Sequence, residues 1–234
     1  MAALDYRSFD VLTFDCYGTL IDWESGIAAA LGAVTRAHGV DIADEALLGR
    51  FAGHEARLEA GPYLRYRDVL AAACRGVCGD LGIQPLDDEV AAFAGSVGEW
   101  PAFPDSAAAL AALHDRFKLA VITNCDDDLF AASNRRLGVS FDWVVTAQQA
   151  GSYKPDHRNF FLAFDWISSP RERILHVAQS LYHDHVPARE LGLRSVWINR
   201  RGDQAGSGAT LAATAAPDAT FLDMASFAEA ALGS

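Results

Sequence analysis

The stretch FDVLTFDCYGTLIDWESG, residues 9–26, runs from an apolar segment through an acid into a tight turn and then a helical stretch. The apolar run predicts a buried strand that ends at Asp15, just before Gly18, a residue that allows a sharp turn. Backbone N–H groups of such a turn and the Thr19 hydroxyl can hold the Asp15 carboxylate. A carboxylate held in this way can act as a nucleophile and form a covalent ester. The alternative from these residues alone is that Asp15 caps the following helix.

Further apolar segments continue the pattern of this first strand, with helical stretches between most of them. They are FKLAVITN (117–124), FDWVVTA (141–147), RILHVAQ (173–179), RSVWIN (194–199) and ATFLD (219–223). Continuous apolar runs suit strands that are covered on both faces, and the alternation predicts an α/β fold with a Rossmann-like parallel sheet. Ligands bind beyond the carboxyl ends of such strands, where Asp15, Thr123 and Asn124 fall.

Residues 22–99 interrupt this alternation with helical patterns only. They predict an all-helical cap domain inserted directly after the first strand. The two prolines of WPAFPD (100–105) mark the return to the sheet. The predicted core domain therefore consists of residues 1–21 and 100–234.

Charge and hydropathy limit the partners of the chain. Its 19 basic and 31 acidic residues give a net charge of −12, which argues against a nucleic-acid partner but not against a small anionic substrate. No apolar run approaches the ~18 residues that span a bilayer, so no membrane partner is predicted. Without a pattern typical of a signal peptide, the four cysteines are expected to be reduced in the cytoplasm. The oligomeric state stays open, with a homodimer as one option.

Four ordered motifs, FDCYGTLID, VITN, GSYKPD and HVAQSLYHD, resemble those of the haloacid dehalogenase superfamily. The resemblance covers essentially the whole chain and implies that Asp15 is the nucleophile. It also implies that Lys154 neutralises charge near Asp15 and that Asp184 orients Lys154 or a water molecule. Thr123 and Asn124 would bind the attacked group or hold Asp15. The alternatives are a surface role for Lys154 and a helix N-terminal role for Asp184.

Two positions separate this chain from the phosphatases of the superfamily. Tyr17 stands where those enzymes carry a second aspartate as general acid, and Ala178–Gln179 replace a Gly-Asp pair that holds Mg²⁺. Because Mg²⁺ prefers carboxylate oxygens, the resemblance implies a hydrolase without a metal or other cofactor. A Mg²⁺-dependent phosphatase and a non-catalytic small-molecule-binding member remain as alternatives.

The segments FDCYGTLID and SYKPD are similar to the type II (L-2-haloacid) dehalogenases, although Leu181 and TNCDDD (123–128) depart from the usual motifs of that group. In those enzymes an aspartate attacks C2 of a 2-halocarboxylate and displaces halide without a metal. DCYGTLIDWE, WPAFPD, GSYKP and SLYHDHVPA are more similar to azetidine-2-carboxylate hydrolases, which displace the nitrogen of a strained ring from C2. The resemblance predicts a hydrolase of small 2-substituted carboxylates, with either leaving group.

Side chains for the substrate follow from its chemistry. A carboxylate stabilises a leaving ammonium, and Asp126 is the candidate, with a helix N-terminus as its alternative role. A substrate carboxylate needs a cation, for which arginine is suited, and Arg50 is the candidate in the predicted cap. Tyr17 and Trp23 are candidates for lining the pocket, although aromatic side chains more often pack in a core.

Overall fold

Six parallel strands form one sheet in this computed structural model, which describes residues 4–202 and 210–233. The strands are β1 (Val11–Phe14), β2 (Lys118–Thr123), β3 (Trp143–Thr146), β4 (Ile174–Ala178), β5 (Arg194–Ile198) and β6 (Ala219–Phe221). Their order in the sheet is β3-β2-β1-β4-β5-β6. Each strand lies within one of the apolar segments quoted above, and the predicted α/β fold class is confirmed.

Helices lie between most of these strands and follow the last of them. They are α1 (Trp23–Ala37), α2 (Asp44–Glu59), α3 (Tyr66–Asp80), α4 (Asp87–Gly95), α5 (Ser106–His114), α6 (Asp127–Leu137), α7 (Ala147–Ala150), α8 (Arg158–Ile167), α9 (Val186–Glu190) and α10 (Met224–Gly233). Short 3₁₀ turns lie at Tyr6–Ser8, Ser96–Glu99 and Arg171–Arg173, and a π-helical turn lies at Leu181–His185. Among the described helices, none has both the length and the apolar character needed to cross a bilayer.

Strand β1 lies in the middle of the sheet, between β2 and β4. Its last residue, Phe14, is in register with Val121 of β2 and Val177 of β4. Leu12 and Phe14 pack in one buried apolar cluster, and Val11 packs in another, so β1 is covered on both faces. The residue after β1 therefore emerges between two neighbouring strand ends, where open α/β sheets bind ligands.

Between Trp23 and Glu99 the named elements are helices and one 3₁₀ turn only, as the sequence predicts for residues 22–99. Helix α2 packs against α1 and α3, and α3 packs against α4. The ring of Trp100 lies edge-on to the ring of Tyr17, with the centroids 5.6 Å apart, and so joins the helical segment to the turn after β1. The division into a cap domain (22–99) and a core domain (1–21 and 100–234) stays a prediction.

Candidate active site

Asp15 follows β1 directly and is buried. Its backbone N–H donates to the carbonyl oxygen of Val177 at 3.1 Å, which continues the contact with β4 by one residue. The Thr19 hydroxyl donates to Oδ2 of Asp15 at 2.7 Å and accepts the backbone N–H of Gln179 at 2.9 Å. Helix α1 is capped by Asp22 instead, so the helix-cap interpretation of Asp15 is wrong.

Lys154 joins Asp15 to a second acid. Its ammonium donates to Oδ1 of Asp15 at 2.8 Å, to Oδ1 of Asp184 at 2.7 Å and to the carbonyl oxygen of Ile122 at 2.8 Å. Lys154 is only 1% exposed, which contradicts the alternative of a surface lysine. An ammonium has three N–H donors, so the protein uses all of them.

The residues after β2 hold the Lys154 segment in place. The Asn124 side chain accepts the backbone N–H of Lys154 at 2.7 Å and donates to its carbonyl oxygen at 3.1 Å. Thr123 is fully buried, and its hydroxyl oxygen has no partner among the described residues. Asn124 therefore positions the lysine, rather than holding Asp15 directly.

Asp184 is held by a buried histidine that the sequence analysis did not single out. Nε2 of His176 lies 3.0 Å from Oδ1 of Asp184, and Nδ1 lies 2.8 Å from the Thr13 hydroxyl. Because an ionised carboxylate only accepts, we assign the proton to Nε2, and the Thr13 hydroxyl then donates to Nδ1. Oδ2 of Asp184 is buried without a partner among the described residues. It is thus an open acceptor.

Burial and mutual contact set the charges of these groups. Burial raises the pKa of Asp15, although the Lys154 ammonium offsets part of this effect. For Asp184, burial acts in the same direction, but Lys154 and His176 outweigh it and hold its pKa below the usual range. Burial by itself lowers the pKa of Lys154, but the two carboxylates outweigh it and raise that pKa. Lys154 is therefore an ammonium, and Asp15 takes up a proton before Asp184 as the pH falls.

A cavity of about 50 Å³ opens beside Asp15. One water molecule takes up roughly 10–15 Å³ of such cavity volume, so the cavity accepts only a small ligand. The predicted residues that line it are Asp15, Tyr17, Trp23, Asn124, Lys154 and Asp184. Further lining residues include Glu55, Glu59, Tyr66, Gln179, Ser180 and His183. The structure thus collects side chains from the ends of β1, β2 and β4 and from the inserted helices.

Two lining residues, Glu55 and Glu59, were missed by the sequence analysis. They continue a row that begins with Leu47 and Phe51, at intervals of four residues along α2. Leu47 and Phe51 are fully buried, so this row is the face that α2 turns inward. The sequence does carry a signal for them, because two acids on the apolar face of a predicted helix are unusual and indicate a site.

Three predicted substrate residues do not line the cavity, namely Thr123, which is fully buried, Arg50 and Asp126. Arg50 is exposed on α2, where its guanidinium donates to the carbonyl oxygen of Ala46, and it does not line the cavity. The carboxylate of Asp126 accepts the backbone N–H groups of Tyr66 and Arg67, both at 3.0 Å. It thereby caps the N-terminus of α3 and is not available to a leaving group. The structure corrects these assignments.

The residues at this sheet edge do not form a magnesium site. Mg²⁺ takes a near-octahedral shell of oxygen ligands. Here the Lys154 ammonium contacts both acids, and Oδ2 of Asp15 is engaged by Thr19. Within residues 4–202 and 210–233, no group of three or more His, Cys, Asp or Glu side chains is arranged to hold a metal. The donor set does not fit Mg²⁺.

Comparison with known proteins gives a family. A model of the haloacid dehalogenase-like hydrolases matches residues 9–181. An (S)-2-haloacid dehalogenase of Pseudomonas putida is 27% identical over 205 residues, which cover 82% of this chain and 86% of that protein. An (S)-2-haloacid dehalogenase of Pseudomonas fluorescens is 28% identical over 193 residues, which cover 80% of this chain and 83% of that protein.

A solved structure shares the fold. It is the L-2-haloacid dehalogenase of Xanthobacter autotrophicus with chloropropionic acid covalently bound. The two folds superpose with a TM-score of 0.80 at 20% sequence identity, over 96% of this chain and 99% of that one. The likeness therefore includes the sheet and the inserted helices.

Proposed function

The chain belongs to the haloacid dehalogenase-like hydrolases, and on that premise we propose that it hydrolyses a small 2-substituted carboxylate through a covalent ester of Asp15. One observation carries the proposal: a buried ammonium, Lys154, joins Asp15 to Asp184 at the wall of a small cavity. The (S)-2-haloacid dehalogenases among the relatives support a 2-halocarboxylate as substrate. The motifs similar to azetidine-2-carboxylate hydrolases support a strained cyclic amino acid.

In the first step, an oxygen of Asp15 attacks C2 of the substrate. A C–O bond forms, the bond from C2 to the leaving group breaks, and the leaving group keeps the electron pair. Attack from the opposite side inverts the configuration of C2. Lys154 favours the ionised form of Asp15 by its charge and its hydrogen bond. Thr19 fixes the second oxygen of the carboxylate.

In the second step, water attacks Cγ of Asp15 and cleaves the ester on its acyl side. Oδ2 of Asp184 is the open acceptor that takes the proton from this water. The product is a 2-hydroxycarboxylate that carries an oxygen from Asp15. Asp15 is restored with an oxygen from water.

The test is product detection by NMR with EDTA present. Separate reactions contain (S)-2-chloropropionate, (S)-azetidine-2-carboxylate and a phosphate monoester. We expect (R)-lactate from the first substrate or 2-hydroxy-4-aminobutyrate from the second. Phosphate release that needs added Mg²⁺, without turnover of either carboxylate, would make the protein a phosphatase. No product from any substrate would favour a non-catalytic binding protein.

His176 is a positioning residue in this scheme, because it fixes Asp184 through Oδ1 and leaves Oδ2 open. We predict that His176→Leu slows ester hydrolysis about tenfold to a hundredfold, a part of what a positioned general base contributes. The rate of ester formation, measured as kcat/KM, should change little. Rapid-quench mass spectrometry would then detect accumulated ester on Asp15.

The control for this prediction is His157→Gln. His157 lies at the surface and pairs with Glu190. This pair is separate from the hydrogen bonds that join Asp184 to Lys154 and His176. The His157→Gln protein should hydrolyse the ester as fast as the unaltered protein. If His176→Leu slowed ester formation and left ester hydrolysis unchanged, the positioning role would be refuted.

A further inference from the structure

Two glutamates of α2, Glu55 and Glu59, form one wall of the cavity. They lie one helical turn apart on the same face. Asp15, Lys154 and Asp184 line the same cavity from the carboxyl edge of the sheet. A carboxyl pair from α2 and the nucleophile from the sheet therefore border the same space.

The two carboxyl groups differ in their partners. The Tyr66 hydroxyl donates to Oε1 of Glu55 at 2.7 Å. Glu59 receives no hydrogen bond from the part of the chain that the structure describes. A partly buried carboxylate that receives no hydrogen bond from the protein can accept one from a ligand.

Positive charge inside the cavity is already engaged. Among the described lining residues, Lys154 is the only lysine or arginine, and its three donors are used within the protein. Oδ2 of Asp184 also lacks a described partner. The cavity therefore has surplus acidic groups and surplus acceptors. Such a site suits a ligand with a positively charged N–H donor.

Of the two glutamates, Glu55 changes its charge near neutral pH. Burial raises the pKa of Glu55 to about 7, although the hydrogen bond from Tyr66 favours the ionised form. Burial and the neighbouring Glu55 raise the pKa of Glu59 well above its usual value, while the Lys154 ammonium offsets part of the rise. Burial, with Glu59 as a neighbouring charge, also raises the pKa of Tyr153, whose hydroxyl donates to the carbonyl oxygen of Leu64. A bound cation would favour the charged form of both acids.

We infer that Glu55 and Glu59 bind a protonated nitrogen of the substrate, and that this nitrogen, part of a strained ring, is the group displaced from C2. The inference rests on the proposed attack of Asp15 at C2. In an in-line displacement the leaving group departs on the side opposite the nucleophile, which directs it toward α2. Carboxylates stabilise a departing nitrogen there, whereas they repel a departing halide.

The ring opening balances with water as the only co-reactant. The bond from Asp15 to C2 forms while the C2–N bond breaks, and the electron pair stays on nitrogen. The protonated ring nitrogen becomes a primary amine, which takes a proton from a protonated glutamate or from solvent. Water then cleaves the ester and gives its proton to Asp184. The product is a 2-hydroxycarboxylate with a terminal ammonium group.

The first experiment compares two substrates in two variants. Glu59→Gln keeps the shape of the side chain and removes its charge, and Glu45→Gln is the matched control on the exposed face of α2. With (S)-azetidine-2-carboxylate, we expect Glu59→Gln to lower kcat/KM about a hundredfold, as expected when a charge-assisted contact to a substrate nitrogen is lost. With (S)-2-chloropropionate, kcat/KM should rise, because repulsion of the anion falls.

The second experiment measures binding without turnover. L-proline carries a cyclic ammonium in an unstrained ring, and propionate lacks the nitrogen. We expect L-proline to inhibit competitively, more strongly as the pH rises from 6 to 8 and Glu55 ionises, and more weakly in Glu59→Gln. Propionate should show the opposite pH trend. Thermal unfolding of each variant shows whether a loss reflects folding, and Glu59→Asp, which keeps the charge, should retain part of the L-proline inhibition.

The outcomes separate the inference from the proposed function. Turnover of 2-chloropropionate but not of azetidine-2-carboxylate would overturn the role of Glu55 and Glu59 and leave the Asp15 ester standing. Equal losses for both substrates in Glu59→Gln would also overturn it. If neither substrate reacts and no ester forms on Asp15, the proposed function fails, and the inference fails with it.

Discussion

Asp15→Asn is expected to abolish turnover, with a fall in kcat of at least about 10⁴-fold, because an amide cannot supply the nucleophilic oxygen. The variant should still fold, since the substitution keeps the shape of the side chain and leaves Lys154 paired with Asp184. The matched control is Asp165→Asn, an exposed acid on α8, which should retain full activity.

The origin of the product oxygen gives the sharper measurement. In a single turnover in ¹⁸O-labelled water with enzyme in excess, the label should enter the Asp15 carboxylate and not the product. Mass spectrometry of the peptide that contains Asp15 detects it. Label that appears in the product during the first turnover would mean direct attack of water on C2, and the ester mechanism would be wrong.

Lys154→Met is expected to have the largest effect on stability. It leaves Asp15 and Asp184 buried, close together and without their shared cation. Removing one partner of a buried ion pair costs about 3–5 kcal/mol of unfolding free energy. Urea unfolding at pH 7 measures the loss. Activity should disappear as well.

The pH dependence of this loss has a defined sign. In the unaltered protein the pKa of Asp184 is lowered, so its contribution is present above its unfolded pKa and is lost as the pH falls through the folded value. Without Lys154, burial raises both carboxyl pKa values, so the variant loses stability as the pH rises through them. The deficit relative to the unaltered protein should therefore shrink below about pH 5.

The chain offers a matched control in its second lysine. Lys118 is exposed and pairs with Asp142 at the surface. Lys118→Met should change the unfolding free energy by less than about 1 kcal/mol, because solvent screens surface pairs. A Lys154→Met protein as stable as the control would show that the buried carboxylates do not depend on the lysine.

The sequence by itself determined the sheet and the strand ends. Residues such as Val11, Leu12 and Phe14 form a continuous apolar run, which is stable only between two helical layers, so strand positions follow from local pattern. The carboxyl ends of parallel strands meet at one edge, so Asp15 and Asn124 were expected to be neighbours. Local sequence pattern is enough to place a strand when the apolar residues that form the pattern are also the residues that become buried.

Only the tertiary structure decided which side chains complete the site. The sequence shows that Leu47, Phe51, Glu55 and Glu59 share one face of α2, but what that face meets depends on how α2 packs with α1 and α3 and over the sheet edge. That packing turned Arg50 outward and the glutamates inward. His176, which holds Asp184, reaches the Thr13 hydroxyl because β4 lies beside β1 in the sheet, and these two residues are 163 positions apart in sequence. Polar partners of this kind are chosen by distances across elements, and one-dimensional periodicity does not record those distances.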